Sequence, residues 1–139
     1  MKEMATPAAI ASLRHRAAEF AAAHGAGRNQ AADVALAVSE AATNAVKYAY
    51  LGATRNAVVE LAAEAQGGWL DVRVRDRGGG FGRGSPESLG LGLSIMASLS
   101  AELTIVQEGE GTEVRMRFPL PQSLLARAAP QSTGVQVRK

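Results

Sequence analysis

Two polar side chains suited to phosphate and proton chemistry lie four residues apart in a stretch with a helical pattern. Glu40 and Asn44 therefore fall one turn apart on the same flank of a helix, beside its apolar stripe. A glutamate can accept the proton of an attacking hydroxyl or water, and an asparagine oxygen can bind Mg²⁺ alongside waters and phosphates. Lys47 lies on the same flank and could reach a phosphate. Each pattern is common, however, and taken alone indicates ordinary exposed helix residues.

A second pair of polar residues lies on two predicted strands and points towards the interior. Asp76 has the parity of the apolar positions in 70–74, and Thr112 has that of the apolar positions in 114–118. A buried carboxylate needs a hydrogen-bond donor, and the amino group of an adenine is a suitable one. The two residues could then meet beneath one pocket, bridged by water. Taken singly, a turn-capping Asp and a strand-starting Thr are the commoner explanations.

Two glycine-rich stretches complete the set of candidate residues. Gly78 and Gly80 follow Asp76 and allow a close approach that a side chain would block. The second stretch consists of Gly90, Leu91, Gly92 and Leu93. It precedes a predicted helix, whose free N–H groups suit phosphate oxygens. It is neither a Walker loop nor a dinucleotide fingerprint, because it lacks both G-K-[ST] and G-x-G-x-x-G.

The hydrophobic pattern predicts the elements that position these residues. Helical spacing predicts one helix that begins after Thr6 and ends before Gly25, and a second from about Asn29 to Tyr48–Tyr50. Alternation with a period of two predicts two strands joined as a hairpin at Gly67-Gly68.

The second half of the chain has a loop, a helix and two strands by the same reasoning. Residues 77–92 contain seven glycines and a proline, which predicts a loop, and Leu93–Leu99 has the pattern of a short helix. Two further strands flank Gly109-Glu110-Gly111. Strands with one apolar face, in this order with the helices, predict a two-layer α/β sandwich: a mixed sheet with helices on one face.

Length and composition are those of a single globular domain. The chain has 139 residues, 47% of them hydrophobic and 20% charged, and no cysteine. We expect the domain over residues 1–119 and a flexible basic tail over 120–139. Without the tail, 12 basic and 13 acidic residues remain, which argues against general nucleic-acid binding. The sequence predicts neither a membrane segment nor a signal peptide, so we expect a cytoplasmic protein.

Taken together, the motifs resemble those of the GHKL ATPases, which include gyrase, heat-shock-90 chaperones, MutL and histidine kinases. The stretches 38–46, 76–81 and 90–96, with Gly111-Thr112, are similar to the N, G1 and G2 boxes and the final Gly-Thr of that family. The spelling of these stretches is nearest to the small anti-sigma factor serine/threonine kinases. The resemblance extends over about residues 7–119 and implies the Bergerat ATP-binding fold.

The resemblance also implies an activity and roles for the residues. It implies an ATP–Mg²⁺ site in which Glu40 is the catalytic base, Asn44 the magnesium ligand and Asp76 the adenine acceptor, with the glycines contacting phosphates. The implied substrate is a serine or threonine of a STAS-domain anti-sigma antagonist. The other implied partner is a sigma factor, which the kinase sequesters, and a homodimer is possible.

Two departures from the family pattern keep alternatives open. Asn44-Ala45-Val46-Lys47-Tyr48 is nearer to the histidine-kinase spelling, although the chain has neither a dimerisation helix pair nor a phospho-acceptor histidine box. The segment between the G1 and G2 boxes, Phe81–Leu89, is short, which leaves nucleotide affinity and target choice open. The alternatives are a nucleotide-responsive binding module without catalysis, and a related kinase of another bacterial signalling complex.

Overall fold

The computed structural model describes residues 1–51, 58–76, 90–108, 111–121 and 134–138. These residues form three helices, which are α1 (Pro7–Ala23), α2 (Arg28–Leu51) and α3 (Gly90–Leu99). They also form six strands, which are β1 (Lys2–Met4), β2 (Val58–Gln66), β3 (Trp69–Asp76), β4 (Glu102–Glu108), β5 (Gly111–Pro119) and β6 (Gly134–Arg138).

Local signals in the sequence explain where α1 begins and ends. The Thr6 hydroxyl accepts a hydrogen bond from the Ala9 amide at 3.4 Å, and Pro7 occupies the first helical position. The helix ends before Gly25, whose φ of 100° is a left-handed conformation that favours glycine. Both ends agree with the sequence prediction, and α2 begins at Arg28, one residue before the predicted cap.

The strands form one mixed sheet in the order β1-β2-β3-β5-β4-β6. All neighbours are antiparallel except β4 and β6, which are parallel. The predicted hairpin joins β2 to β3, and both turn residues, Gly67 and Gly68, have positive φ angles of 61° and 81°. Two such angles match the twist of an antiparallel hairpin, which explains the two glycines.

The core lies between the helices and one face of the sheet. Buried residues of β2, β3, β4 and β5 pack in one cluster with residues of α1, α2 and α3. On the helices this cluster consists of Leu13, Ala17, Ala21, Val34, Ala37, Val38, Ala41, Ala42, Ala45 and Met96. The small side chains allow α1 and α2 to approach closely, and the Gln30 amide ties α2 to the Pro119 carbonyl at the end of β5. The predicted two-layer α/β sandwich is confirmed.

Three elements differ from the sequence prediction. The strands β1 and β6 were not predicted, and β6 lies within 120–139, the segment predicted as a flexible tail. The third helix begins at Gly90 and not at Leu93, so part of the predicted loop belongs to its first turn. The rest of that loop, residues 77–89 with Gly78 and Gly80, lies outside the described residues. In the described ranges, the helices are all too short or too polar to cross a membrane.

Removal of β6 tests whether the end of the chain belongs to the sheet. Deleting residues 134–139 takes away the five-residue strand that pairs with β4. We expect the free energy of unfolding to fall by roughly 1–3 kcal/mol, since several hydrogen bonds of about 0.5–1.5 kcal/mol each are lost. Urea denaturation measures the difference, and deletion of Lys139 alone is the control. An unchanged midpoint would contradict the pairing.

Candidate nucleotide site

Helix α2 carries Glu40 and Asn44 on one flank at the edge of the core. Their neighbours Ala41 and Ala45 are fully buried, so this flank is held against the rest of the protein. Glu40 is half-buried, whereas Asn44 is only 8% exposed. The helix therefore presents a partly accessible carboxylate one turn from an enclosed amide, as the spacing predicted.

The first turn of α3 lies directly against these two side chains at Gly92. A Cβ atom built on Gly92 would be 3.1 Å from Oε2 of Glu40 and 3.1 Å from Nδ2 of Asn44. Contacts this short are unusual for a real Cβ atom, so the carboxylate and the amide occupy space that a side chain at this position would need. The motif residues of α2 and α3 thus form one cluster.

Asp76 and Thr112 are direct partners across β3 and β5. They are opposite each other in the register, with 0% and 1% exposure. The inward direction predicted from strand parity is confirmed for both. The register adds what parity did not indicate, namely that the two residues are nearest neighbours across the strands. A buried carboxylate is costly without hydrogen bonds or a ligand, which makes this rung chemically unusual for a core.

Asn44 and Thr112 have buried polar atoms, Nδ2 and the hydroxyl oxygen, without a hydrogen-bond partner among the described residues. Burying such groups without a partner costs about 1–3 kcal/mol each. The amide and the hydroxyl therefore fit a ligand that supplies polar groups. The amide nitrogen and oxygen of an asparagine exchange by a simple rotation, so Asn44 can present its oxygen to a cation.

For the other predicted site residues, the structure gives the position of some and the side-chain exposure of fewer. Lys47 is exposed on α2, and Leu93 is half-buried against the core. Gly90 and Leu91 belong to the first turn of α3, although their side-chain surroundings are not described. Gly78 and Gly80 lie outside the described residues. Within the described ranges, no three His, Cys, Asp or Glu side chains gather around a common metal position.

Sequence reasoning missed the contact between Gly92 and the pair on α2. The sequence assigned this glycine a phosphate contact and gave no sign that its missing side chain makes room for Glu40 and Asn44. The glycine itself was a signal. Glycine inside a helix costs about 1 kcal/mol relative to alanine, so its presence there indicates that a neighbouring group needs the space. The prediction that α3 begins only at Leu93 concealed it.

Two of the open grooves formed by described residues lie away from this cluster. One, of about 300 Å³, lies on the sheet face turned away from the helices and includes Arg73 and Arg115. The other, of about 360 Å³, lies between α1 and β2 and includes Phe20 and Leu61. Neither contains Glu40, Asn44, Asp76 or Thr112.

The fold and this cluster agree with a family of nucleotide-binding domains. The family described as Histidine kinase-like ATPase domain matches residues 4–118, and the chain belongs to it. The match spans both polar pairs and the glycine-rich stretches, and domains of this family bind ATP. The resemblance drawn from the sequence motifs is confirmed at this level.

A solved structure gives a more particular likeness. The chain is similar to the crystal structure of the RsbU and RsbW domains of Rv1364c from Mycobacterium tuberculosis, with a TM-score of 0.65 and 26% identity. The similarity covers 96% of this chain and 34% of that chain. Among curated proteins, none matches the sequence.

Replacement of Gly92 by alanine tests the contact between α3 and α2. The added methyl group would displace the Glu40 carboxylate or the Asn44 amide, and the buried amide has little room to move. We expect a loss of about 1–3 kcal/mol in the free energy of unfolding, the usual cost of overpacking. Urea denaturation of Gly92→Ala measures it.

A matched control is available at Gly27, where an added Cβ meets nothing within 4 Å. Gly27→Ala is expected to change the free energy of unfolding by less than about 1 kcal/mol. If Gly92→Ala costs no more than Gly27→Ala, the close approach at Gly92 is wrong.

Proposed function

We propose that this protein is an ATP-dependent serine/threonine protein kinase. In this proposal it phosphorylates a STAS-domain anti-sigma antagonist and sequesters a sigma factor. Membership of the histidine kinase-like ATPase family and the likeness to a structure that contains an RsbW domain support the class. The observation that carries the activity is the cluster of Glu40 and Asn44 at Gly92, because it brings a candidate base next to a candidate magnesium ligand.

The base of the nucleotide is proposed to lie at the rung formed by Asp76 and Thr112. The Asp76 carboxylate accepts a hydrogen bond from the amino group of adenine, and the adjacent Thr112 hydroxyl has capacity for a further polar contact. Burial strengthens such a hydrogen bond, because few water molecules compete for the carboxylate. Gly78 and Gly80 are proposed to let the backbone approach the nucleotide closely, because glycine has no side chain.

The phosphates are proposed to lie at the first turn of α3. Gly90, Leu91 and Gly92 are its first three residues, and the first N–H groups of a helix have no partner within the helix. The Asn44 amide oxygen would hold Mg²⁺, which would supply positive charge to offset the negative charge of the phosphates. Leu93 packs the turn against the core, and the exposed Lys47 reaches a phosphate from the α2 side.

Glu40 is proposed to act as the general base. Its carboxylate accepts the proton of the substrate serine or threonine hydroxyl as that oxygen forms a bond to the γ-phosphorus. The bond between the γ-phosphorus and the bridging oxygen breaks, ADP leaves, and the proton passes from Glu40 to solvent. Partial exposure of Glu40 suits this role, because the substrate hydroxyl and solvent must both reach it.

The partners of the proposal rest on the sequence motifs, which resemble those of the anti-sigma factor kinases. A cytoplasmic location and a homodimer belong to the same proposal. The STAS-domain protein provides the hydroxyl, and the sigma factor is the protein held inactive while the antagonist is phosphorylated.

Substitution of Glu40 tests the kinase activity. Glu40→Gln keeps the shape of the side chain and removes its basicity, so we expect phosphate transfer to fall about 10²–10⁴-fold while ATP affinity changes little. Transfer of labelled phosphate to a STAS-domain protein, measured in single turnovers, separates chemistry from product release. The control is Asp33→Asn, an exposed acid on the same helix, which should leave transfer unchanged.

The outcomes of this experiment distinguish the alternatives. Undiminished transfer in Glu40→Gln would exclude Glu40 as the base. If the parent protein transfers no phosphate but retains a partner only when ATP is present, the chain is a nucleotide-responsive binding module. Transfer to a protein outside the sigma-factor system would identify another signalling complex.

Substitution of Asp76 tests the adenine contact. Asp76→Ala removes a charge-assisted hydrogen bond worth about 1.5–3 kcal/mol, so ATP affinity should fall roughly 10- to 100-fold by calorimetry. Asp71→Ala, on the opposite face of β3, is the control and should bind ATP normally. Unfolding measured without nucleotide detects any loss of folding, and unchanged affinity in folded Asp76→Ala would refute the contact.

A further inference from the structure

The strand β1 covers the edge of β2 over only part of its length. It pairs with residues 58–60 of β2. Met1 extends the pairing by one residue, because its amino group donates to the Leu61 carbonyl at 2.7 Å and its carbonyl accepts from the Leu61 amide at 2.7 Å. Residues 62–66 pair with β3, and in the part of the chain that the structure describes no strand covers their other side. This stretch is here called the open edge of β2.

Backbone hydrogen-bonding groups at the open edge point away from β3. Along an antiparallel strand, the N–H and C=O groups of one residue point to the same side, and the side alternates from residue to residue. Both groups of Leu61 point towards Met1, so those of Ala63 and Ala65 point in the same direction. Within the described ranges they pair with no other backbone group. The open edge therefore offers two N–H donors and two C=O acceptors to a further strand.

A groove lined mainly by apolar residues lies beside the open edge. It has a volume of about 360 Å³ and lies between α1 and β2, with Phe20 on the helix, Leu61 and Ala63 on the strand, and Met1 at one end. The side chains of Ala63 and Ala65 are only partly buried, although both contact the apolar core. Alanine fills little of the space beneath the helix, so an apolar side chain placed opposite it would bury apolar surface of both chains.

On the sheet face turned away from the helices, the middle residue of the open edge is acidic. The Glu64 side chain is 59% exposed, and its ion pair with Arg73 spans 3.8 Å, near the limit for such a contact. Asp71 lies opposite Glu64 on β3, and its carboxylate accepts a hydrogen bond from Arg117 at 2.9 Å. Among the described residues, Glu64 thus lies beside a second acid and has one long contact with a base. A positive charge on its free side would be favourable.

The pairing of β1 shows which residue suits the position opposite Glu64. Lys2 lies opposite Glu60 on β2, and the two form an ion pair of 3.2 Å. A basic residue opposite Glu64 would repeat that pair further along the same strand. On the other face, Arg16 and Glu19 of α1 line the groove with one charge of each sign, so they favour neither sign in a bound segment.

We propose that the open edge binds an extended segment of about five residues from a partner protein, which adds a strand to the sheet. The second and fourth residues of the segment are apolar, lie opposite Ala65 and Ala63, and face α1. The central residue is basic and lies opposite Glu64. Backbone hydrogen bonds provide affinity, and the alternating side chains provide specificity. Met1 at one end and the turn at Gly67 at the other limit the length of the segment.

A second copy of the chain suits the open edge less well than a separate segment. If two copies paired there about a two-fold axis, with Ala63 of each opposite Ala65 of the other, the two Glu64 side chains would face each other directly. Like charges at opposite positions destabilise a sheet. The open edge lies away from the candidate nucleotide site, and the proposal does not rest on kinase activity.

The test is a titration of the isotope-labelled protein with three capped peptides of five residues. The first has threonine, valine, lysine, valine and threonine in that order. The second has the same composition with the valines at the ends, which places threonine opposite Ala63 and Ala65. The third is the first peptide with glutamate in place of lysine. Concentrations up to about 5 mM detect the millimolar affinity expected of a few hydrogen bonds.

The amide resonances of β2 report the side on which a peptide binds. We expect the first peptide to shift those of Ala63 and Ala65 more than those of Ala62 and Glu64, whose N–H groups point to β3. It should bind at least about five-fold more tightly than the second peptide, because the second turns its valines away from the groove. It should bind about two- to five-fold more tightly than the third, which places an acid opposite Glu64.

Exchange of the charge at Glu64 tests the central contact. Glu64→Lys should reverse the preference, so that the third peptide binds about two- to five-fold more tightly than the first. Asp33→Lys changes an exposed acid of α2 in the same way and should leave the preference for the first peptide as it is in the parent protein.

The proposal is overturned by equal affinity for the first and second peptides, or by an unchanged preference in Glu64→Lys. It is also overturned if the amides of Ala63 and Ala65 shift no more than those of Ala62 and Glu64. Shifts of the Ala63 and Ala65 amides on dilution of the free protein would assign the open edge to a second copy of the chain, and so would overturn the choice of a partner protein.

Discussion

The candidate site depends on the absence of one side chain. Helix α3 can lie against α2 at Gly92 only because no Cβ occupies the space taken by the Glu40 carboxylate and the Asn44 amide. This contact places the first turn of α3 directly beside the helix that carries Glu40 and Asn44. It also restricts the Asn44 amide, which is buried between a core of alanines and the backbone of α3.

On the strands, the candidate site consists of two polar residues buried beside the apolar core. Asp76 and Thr112 lie at the ends of the inward-facing sides of β3 and β5, where the other buried side chains are apolar. The apolar core and the candidate nucleotide site are therefore parts of one layer of side chains, which ends at Asp76 and Thr112. Burial in such a position lowers stability, and a bound ligand would recover part of it by binding the folded state alone.

The periodicity of apolar residues predicted most of the secondary structure and the directions of some of the candidate site residues. The helices α1 and α2, the hairpin at Gly67-Gly68 and the inward direction of Asp76 and Thr112 all follow from patterns of 3.6 or two residues. The start of α3 was missed because glycines signal a loop, whereas tertiary packing stabilises a helical turn there. The strand β6 was missed because its pairing with β4 is a long-range contact that leaves no local pattern. The same reason hid the contact at Gly92, which depends on how α3 packs against α2.

Both edges of the sheet are made by its shortest strands. The strand β1 has three residues and β6 has five, whereas the four strands between them have seven to nine. A long exposed edge invites pairing with another chain, and here the long strands β2 and β4 are each partly or wholly covered by a short one. The strand β6 thus covers most of the edge of β4. Loss of residues 134–138 would leave the backbone edge of β4 open to pairing with the same strand of a second molecule.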